Sequence, residues 1–137
     1  MTEHTFENRQ TINRDTVIEV SELLKDYEGG RTIAIYVGEV SSITDYFIIS
    51  TARSMTHLGG LHRRIEEYLS QRDVKPLNRH KRSEENAWTL LDFGFMVVHL
   101  MTEDMREFYE LERLWFNGTV IYQDEEERES GGRDSSV

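Results

Sequence analysis

Hydrophobic and polar residues follow two different periods along this chain, and these periods predict three helices and five strands. Apolar residues at helical spacing predict helices over Asp15–Glu28, Met55–Gln71 and Thr102 to about Trp115. Short β-branched and aromatic runs predict strands over Thr32–Val37, Tyr46–Thr51, Trp88–Phe93, Phe95–Met101 and Thr119–Tyr122. The order α-β-β-α-β-β-α-β predicts an α+β fold, in which helices pack on a mixed β-sheet.

Glycine and capping residues mark the ends of several predicted elements. Gly29-Gly30 ends the first helix, because glycine takes the left-handed conformation at low cost. Ser54 can cap the second helix and Thr102 the third. Gly59-Gly60 lies inside the second helix at a cost of ~1 kcal/mol per glycine relative to alanine. This pair indicates either a close backbone approach or a helix that begins later.

The predicted third helix has apolar residues around more of its circumference than the other two. At 100° per residue, the apolar positions of the first helix, except Ile18, fall within ~120° and those of the second within ~100°, whereas those of the third span ~220°. They are Met105, Phe108, Tyr109, Leu111, Leu114 and Trp115. Arg106, Glu110 and Arg113 form the predicted polar face. The excess apolar arc either packs between the sheet and the chain ends or forms a protein interface.

The predicted hairpin raises the same question, because both of its faces carry large apolar side chains. Trp88, Leu90 and Asp92 share one face of the first strand, and the alternate residues share the other. One face must pack on helices, and the other is either core or partner surface.

The charge of the chain favours a basic protein partner over nucleic acid. The 137 residues include 16 Lys and Arg and 26 Asp and Glu, a net charge of −10. Phosphate backbones repel such a chain, so we expect no general nucleic-acid binding.

The same composition suggests one domain with two polar ends. Residues 15–122 form the expected domain. Residues 1–14 are expected to be a flexible N-terminus. Residues 123–137 contain six acids and two arginines and are expected to be an acidic disordered tail.

No apolar run approaches the ~20 residues of a membrane span, and the N-terminus does not resemble a signal peptide. We therefore expect a cytoplasmic protein with no membrane association.

The residue types used for metal binding and catalysis lack the usual spacing. There is no cysteine, which excludes a disulfide, a thiolate zinc site and a cysteine nucleophile. His57 and His62 diverge on a helix, and no HExxH motif is present. His99 lies in an apolar strand and is predicted to be a hydrogen-bonded core histidine. We expect no metal site, no cofactor and no catalytic residue.

Three short segments resemble functional motifs but lack their context. Asp92-Phe93-Gly94 spells the kinase magnesium motif without the kinase glycine and catalytic loops, and is interpreted as a turn. Asp45 has no acidic partner on the following strand and is interpreted as a turn residue. The basic segment 79–82 could contact phosphate, but Glu84 and Glu85 follow it directly.

Four segments together carry a family resemblance. They are Ser42–Thr51 (SITDYFIIST), Trp88–Asp92 (WTLLD), Val97–His99 (VVH) and Arg106–Trp115 (REFYELERLW). In this order and spacing they resemble the ribosomal silencing factor family (RsfS, also called Iojap-like) over residues 15–116.

The resemblance implies a protein that is not an enzyme, with a nucleotidyltransferase-like fold that lacks the active site. It implies binding to the large ribosomal subunit through the ribosomal protein called L fourteen, which would block association with the small subunit and repress translation. The residues we expect to contact the ribosomal protein are Trp88, Leu90, Asp92, Tyr109, Glu112 and Trp115. We also expect a homodimer when the protein is free. The alternative function is nucleotide binding or residual nucleotidyltransferase activity.

Overall fold

A computed structural model of the chain describes residues 2–77, 87–114 and 117–124, except the side chains of residues 2–8, 112 and 114. The elements are α1 (Thr2–Asp26), β1 (Gly30–Tyr36), β2 (Tyr46–Ala52), α2 (Met55–Ser70), β3 (Trp88–Asp92), β4 (Met96–Thr102), α3 (Glu103–Tyr109), α4 (Leu111–Leu114) and β5 (Thr119–Gln123). The α+β class is confirmed, and the elements follow the predicted order except that the third helix is divided into α3 and α4. None of the described helices is long and apolar enough to cross a membrane.

The five strands form one mixed sheet in the order β3-β4-β2-β1-β5. β2 and β4 run parallel, and the other neighbours are antiparallel. Tyr46 is paired with Met96 and Ala52 with Thr102, so the two parallel strands begin and end together. The connection between two parallel strands needs a long crossover, which α2 and β3 supply.

Helices α1 and α2 cover one face of the sheet and form the main core. Strand side chains alternate between faces, so every second residue of β2 and β4 points into this layer. The largest buried side chains of the main core are Val17, Val20, Leu24, Ile48, Leu61, Ile65, Leu69, Met96 and Leu100. The apolar stripe predicted for the second helix is therefore confirmed as its buried face.

A smaller core lies on the opposite face of the sheet. Ile49 of β2 and Met101 of β4 pack there against Leu111, with Met105 of α3 half-buried beside them. Among the described helices, only α3 and α4 lie on this face, and α3 packs mainly on β2 and β4. The sheet is thus fully covered on one side and partly covered on the other.

The first helix is longer than its apolar pattern predicted. It begins at Thr2 rather than Asp15. Residues 2–14 contain neither glycine nor proline, so nothing in the sequence breaks the helix, although no apolar stripe marks it. Ile12 is exposed and Val17 is fully buried, so the stripe begins only where the helix reaches the sheet. The expected flexibility of residues 1–14 stays a prediction.

The predicted third helix is not continuous to Trp115, and the prediction of its end was wrong. Glu110 adopts a left-handed conformation (φ 47°, ψ 53°), its N–H donates to the Arg106 carbonyl, and the chain then starts the separate helix α4. The predicted apolar arc of a single helix therefore applies only to the residues up to Tyr109. Glutamate is a good helix former, so the sequence carries no signal for this break.

Two side chains of α3 also differ from their predicted roles. Arg106, predicted on the polar face, is buried. Thr102 occupies the N-cap position but makes no side-chain capping hydrogen bond. By contrast, the Ser54 hydroxyl accepts a hydrogen bond from the His57 N–H at 3.0 Å, as predicted for the start of α2.

The chain remains packed on the sheet a little beyond the predicted last strand. Asp124 is buried, and its N–H donates to the Thr32 carbonyl at 3.0 Å. The rest of the predicted acidic tail, residues 125–137, and the basic segment 79–82 lie outside the described residues.

Candidate protein-binding surface

The first hairpin strand presents three of the predicted contact residues on the partly covered face of the sheet. Thr89 and Leu91 of β3 are buried toward the helices, so Trp88, Leu90 and Asp92 point the other way. Across the antiparallel pair these three lie opposite Met101, His99 and Val97. Leu90 is 38% exposed in this position. Strand alternation alone thus brings the three residues to one surface, as the sequence predicted.

Five rings, which we call the aromatic row, run across this face from the sheet onto α3. The row consists of Phe47, His99, Trp88, Tyr109 and Phe108. Its successive ring centroids are separated by 5.1, 5.7, 4.9 and 4.9 Å. These separations fall within the range of favourable aromatic pairs. The row therefore joins β2, β4, β3 and α3 in one set of contacts.

The row is most exposed at its α3 end. His99 is only 6% exposed, whereas Tyr109 is 46% exposed and Phe108 is 76% exposed. The last pair meets edge to face, with an interplanar angle of 85°. Exposed rings supported by a buried row are a typical anchor for a protein partner, because they offer apolar area with few rotatable bonds.

His99 is held as a neutral hydrogen-bond acceptor within the row. The Trp88 Nε1–H donates to His99 Nδ1 at 3.0 Å. Burial lowers the pKa of His99 from 6.5 to about 4. The ring is therefore uncharged at neutral pH, which confirms the prediction of a hydrogen-bonded core histidine.

Asp92 shapes the hairpin turn beside the row. One of its carboxylate oxygens accepts a hydrogen bond from the Gly94 N–H at 2.8 Å, and Gly94 has a positive φ of 91°. This geometry confirms that the Asp-Phe-Gly sequence is a turn. Asp92 remains on the face that carries Trp88 and Leu90.

Exposed acidic side chains lie on α3, the helix that carries Phe108 and Tyr109. Glu103, Asp104 and Glu107 are exposed on α3. Glu103 forms an ion pair with Arg31 at 2.9 Å. Within the part of the chain that the structure describes, Asp104 and Glu107 form no ion pair. We call these exposed acids of α3 the acidic rim, and their negative charge suits a basic partner.

Arg106 fixes α3 against the sheet. Its Nη1 donates to Thr51 Oγ1 at 2.9 Å and to the Gly30 carbonyl at 3.3 Å. A buried guanidinium with such partners gives the short helix a defined position on β1 and β2. This role was not predicted, since Arg106 lies among polar neighbours on a helical wheel.

The structure places the six predicted contact residues unevenly. Trp88 and Tyr109 contact each other, and Leu90 and Asp92 share their face. Glu112 belongs to α4, but its side chain is not described, and Trp115 lies outside the described residues. Phe108 was predicted only as part of the wide apolar arc, and Phe47 was not predicted as a contact residue.

The other residues considered for chemistry are Asp45, His57 and His62. The backbone of Asp45 pairs with Val37 and Phe95, and its side chain is exposed beside a cleft of about 490 Å³ that also contains Arg14 and Tyr46. His57 accepts a hydrogen bond from the Arg53 N–H at 2.9 Å. His62 is buried with its Nε2 3.1 Å from Glu66. Within residues 2–77, 87–114 and 117–124, no group of three His, Cys, Asp or Glu side chains could hold a metal ion.

Comparison with known proteins points to one family. The family model described as ribosomal silencing factor during starvation matches residues 10–136. Ribosomal silencing factor RsfS of Treponema pallidum is 33% identical over 97 residues, which cover 70% of this chain and 86% of that protein. The Mus musculus protein named mitochondrial assembly of ribosomal large subunit protein 1 is 35% identical over 95 residues, which cover 68% of this chain and 42% of that protein.

A solved structure supports the same relationship. The crystal structure of a Chromobacterium violaceum protein superposes with a TM-score of 0.66 at 25% identity, covering 77% of this chain and 84% of that one. The residues matched by the family model include the whole aromatic row.

Proposed function

Because this chain belongs to the ribosomal silencing factor family, we propose that it represses translation by binding the large ribosomal subunit and blocking its association with the small subunit. The direct partner in this proposal is ribosomal protein L fourteen, and the site of action is the cytoplasm. The observation that carries the proposal is the aromatic row, which ends in exposed rings within an acidic rim. The printed name of the mouse relative, which refers to the ribosomal large subunit, supports the choice of subunit.

The proposed mechanism is steric and needs no chemical step. A protein of 16.2 kDa bound at the subunit interface would occupy space that the small subunit requires. Phe108 and Tyr109 would supply apolar contact area, and the acidic rim would match basic side chains of the ribosomal protein. Among the described residues that line the cleft beside Asp45 there is no second carboxylate, so they give nucleotidyl transfer no support.

Co-sedimentation with purified large subunits tests this proposal. We expect the wild-type protein to sediment with large subunits, and Phe108→Ala and Tyr109→Ala each to weaken binding by about tenfold or more, as central aromatic anchors do. Tyr27→Ala is the matched control, because Tyr27 is 41% exposed at the end of α1, away from the row. Absence of the wild-type protein from the large-subunit fraction would refute the proposal.

The identity of the partner needs a separate measurement. A photocrosslinking amino acid at position 109 should form a covalent product with ribosomal protein L fourteen. Crosslinking to another protein of the large subunit would be consistent with binding to that subunit but would contradict this choice of partner.

Asp92 and Glu112 are proposed to pair with basic groups, so Glu112→Lys should weaken binding more than Glu126→Lys in the tail.

We also propose that the free protein forms a homodimer through the same surface. Exposed rings such as Phe108 are costly to leave in water, and a second copy would cover them. Sedimentation velocity should then show a concentration-dependent dimer that Phe108→Ala shifts toward monomer. A wild-type protein that stays monomeric at high concentration would exclude the dimer and leave ribosome binding unaffected.

A further inference from the structure

We propose that His99 is a positioning residue, which orients the Trp88 indole and thereby the exposed rings of Tyr109 and Phe108 for partner binding. The link to partner binding rests on the function proposed above. The orientation of the rings is a property of the free protein, so it can be tested without a partner.

The hydrogen bond between Trp88 and His99 selects one orientation of the indole. The residue directly opposite Trp88 on β4 is Met101, and His99 lies opposite Leu90. His99 is thus a diagonal neighbour of Trp88, on the same face of the sheet. The indole must lie along the strand toward His99 to donate its N–H at 3.0 Å.

The chemistry of both groups favours this arrangement. An indole N–H is only a donor, and when partly buried it needs an acceptor. A neutral imidazole has one acceptor nitrogen and one N–H. Because Nδ1 accepts from Trp88, Nε2 carries the proton in this tautomer. Phe47 packs on the imidazole at 5.1 Å, which holds the acceptor itself in place.

The orientation of Trp88 affects the exposed rings because α3 is short. The helix has seven residues and stops at the left-handed Glu110, so it has no long helical continuation to stabilise its C-terminal end. Arg106 anchors the helix to β1 and β2. The contact between Trp88 and Tyr109 at 4.9 Å supports the end of the helix, and Phe108 packs on Tyr109.

Nuclear magnetic resonance of the free protein tests the positioning role. In wild type we expect the Trp88 indole N–H to be protected from exchange, and Trp88→Phe identifies its signal. His99→Leu should abolish this protection and shift the ring signals of Tyr109 and Phe108. His99→Asn should restore both, because its side-chain oxygen can accept near the position of Nδ1.

Val98→Ala is the matched control for general destabilisation. Val98 is the fully buried neighbour of His99 on β4 and faces the main core. Its truncation should lower stability and leave the indole signal unchanged. If His99→Leu does not fold, Trp88→Phe removes the donor instead and should shift the Tyr109 and Phe108 signals in the same way.

Binding to large subunits tests the consequence for the partner. We expect His99→Leu to weaken binding roughly twofold to tenfold, the range for one lost hydrogen bond, with His99→Asn and Val98→Ala near wild type. Unchanged ring signals in His99→Leu, or an Asn variant that behaves like the Leu variant, would overturn the positioning role. Failure of the wild-type protein to bind large subunits would refute the proposed function but not the positioning role of His99. That role is tested by the ring signals of Tyr109 and Phe108 in the free protein.

Discussion

The glycines of this fold differ in whether a side chain would fit at their positions. At Gly60 a side chain would fit. Gly60 lies in the interior of α2, and no atom lies within 4 Å of a β-carbon built on it. Glycine inside a helix costs roughly 0.5–1 kcal/mol relative to alanine. We therefore expect Gly60→Ala to raise the free energy of unfolding by about this amount, measured by urea denaturation.

Gly118 gives the contrasting case. A β-carbon there would lie 2.6 Å from Ile35 Cγ2 and 2.7 Å from the Tyr36 carbonyl oxygen. Gly118→Ala should therefore destabilise the protein by displacing β1 from β5. Equal effects of the two substitutions would contradict the packing described for both sites.

The buried imidazole of His99 makes folding stability depend on pH. Its pKa is lowered by burial from 6.5 to about 4. Between these values the unfolded chain binds a proton that the folded protein does not, so stability is complete above pH 6.5 and falls as the pH decreases toward 4. The contribution of His99 to the free energy of unfolding therefore differs by about 3 kcal/mol between pH values above 6.5 and below 4.

The measurement is the free energy of unfolding of wild type and His99→Leu between pH 7 and pH 4. We expect the wild type to lose more stability than the variant across this window, because the carboxylates common to both titrate equally. Parallel curves for the two proteins would show that His99 does not titrate as described.

At the scale of elements, the sequence predicted the helices whose apolar side is buried against the sheet. It did not predict the helix segment or the helix break that burial leaves unmarked. The stripe from Leu58 to Leu69 predicted α2 closely, because its apolar side faces the sheet. Residues 9–12 of α1 are exposed and carry no apolar stripe, so the helix there was not predicted. The break at Glu110 depends on how α3 and α4 both reach the sheet, and no local residue type signals it.

Substitution of Glu110 tests whether its left-handed conformation separates α3 from α4. A left-handed backbone costs a residue with a side chain about 1–2 kcal/mol, whereas glycine adopts it readily. We expect Glu110→Gly to leave stability unchanged or raise it by up to about 1 kcal/mol, since the ion pair with Arg113 is exposed.

Glu107→Gly provides the comparison within the same helix. Glu107 lies in the right-handed interior of α3, where glycine should lower stability by about 1 kcal/mol. Thermal denaturation of the two variants distinguishes the positions. A loss of stability in Glu110→Gly equal to that in Glu107→Gly would mean that the chain continues as one helix in solution.

At the scale of the whole molecule, the uneven covering of the sheet creates the candidate surface. Alternation along one strand was enough to predict that Trp88, Leu90 and Asp92 share a face. The sequence could not predict that Phe47 and His99 join them, because this depends on the strand order β3-β4-β2. Long-range pairing of this kind is set by the packing of the complete sheet, so it leaves no periodic signal in the sequence.

The charge of the whole molecule and the charge of the rim have separable effects on binding. The net charge of −10 attracts any basic partner at long range, whereas Glu107 is exposed on α3, the helix that carries Phe108 and Tyr109. Glu107→Lys and Glu67→Lys change the net charge equally, but Glu67 is on α2, in the helical layer across the sheet. We expect Glu107→Lys to weaken binding to large subunits severalfold more than Glu67→Lys.

Binding at increasing potassium chloride concentration separates the two contributions. Salt screens charges beyond about 10 Å at 0.1 M, so the long-range attraction should weaken for the wild type and both variants. The difference between the two variants should persist at moderate salt, because it arises from close contacts at the rim. If the variants bind equally at every salt concentration, the acidic rim of α3 is not in contact with the partner, and the aromatic row would have to bind without it.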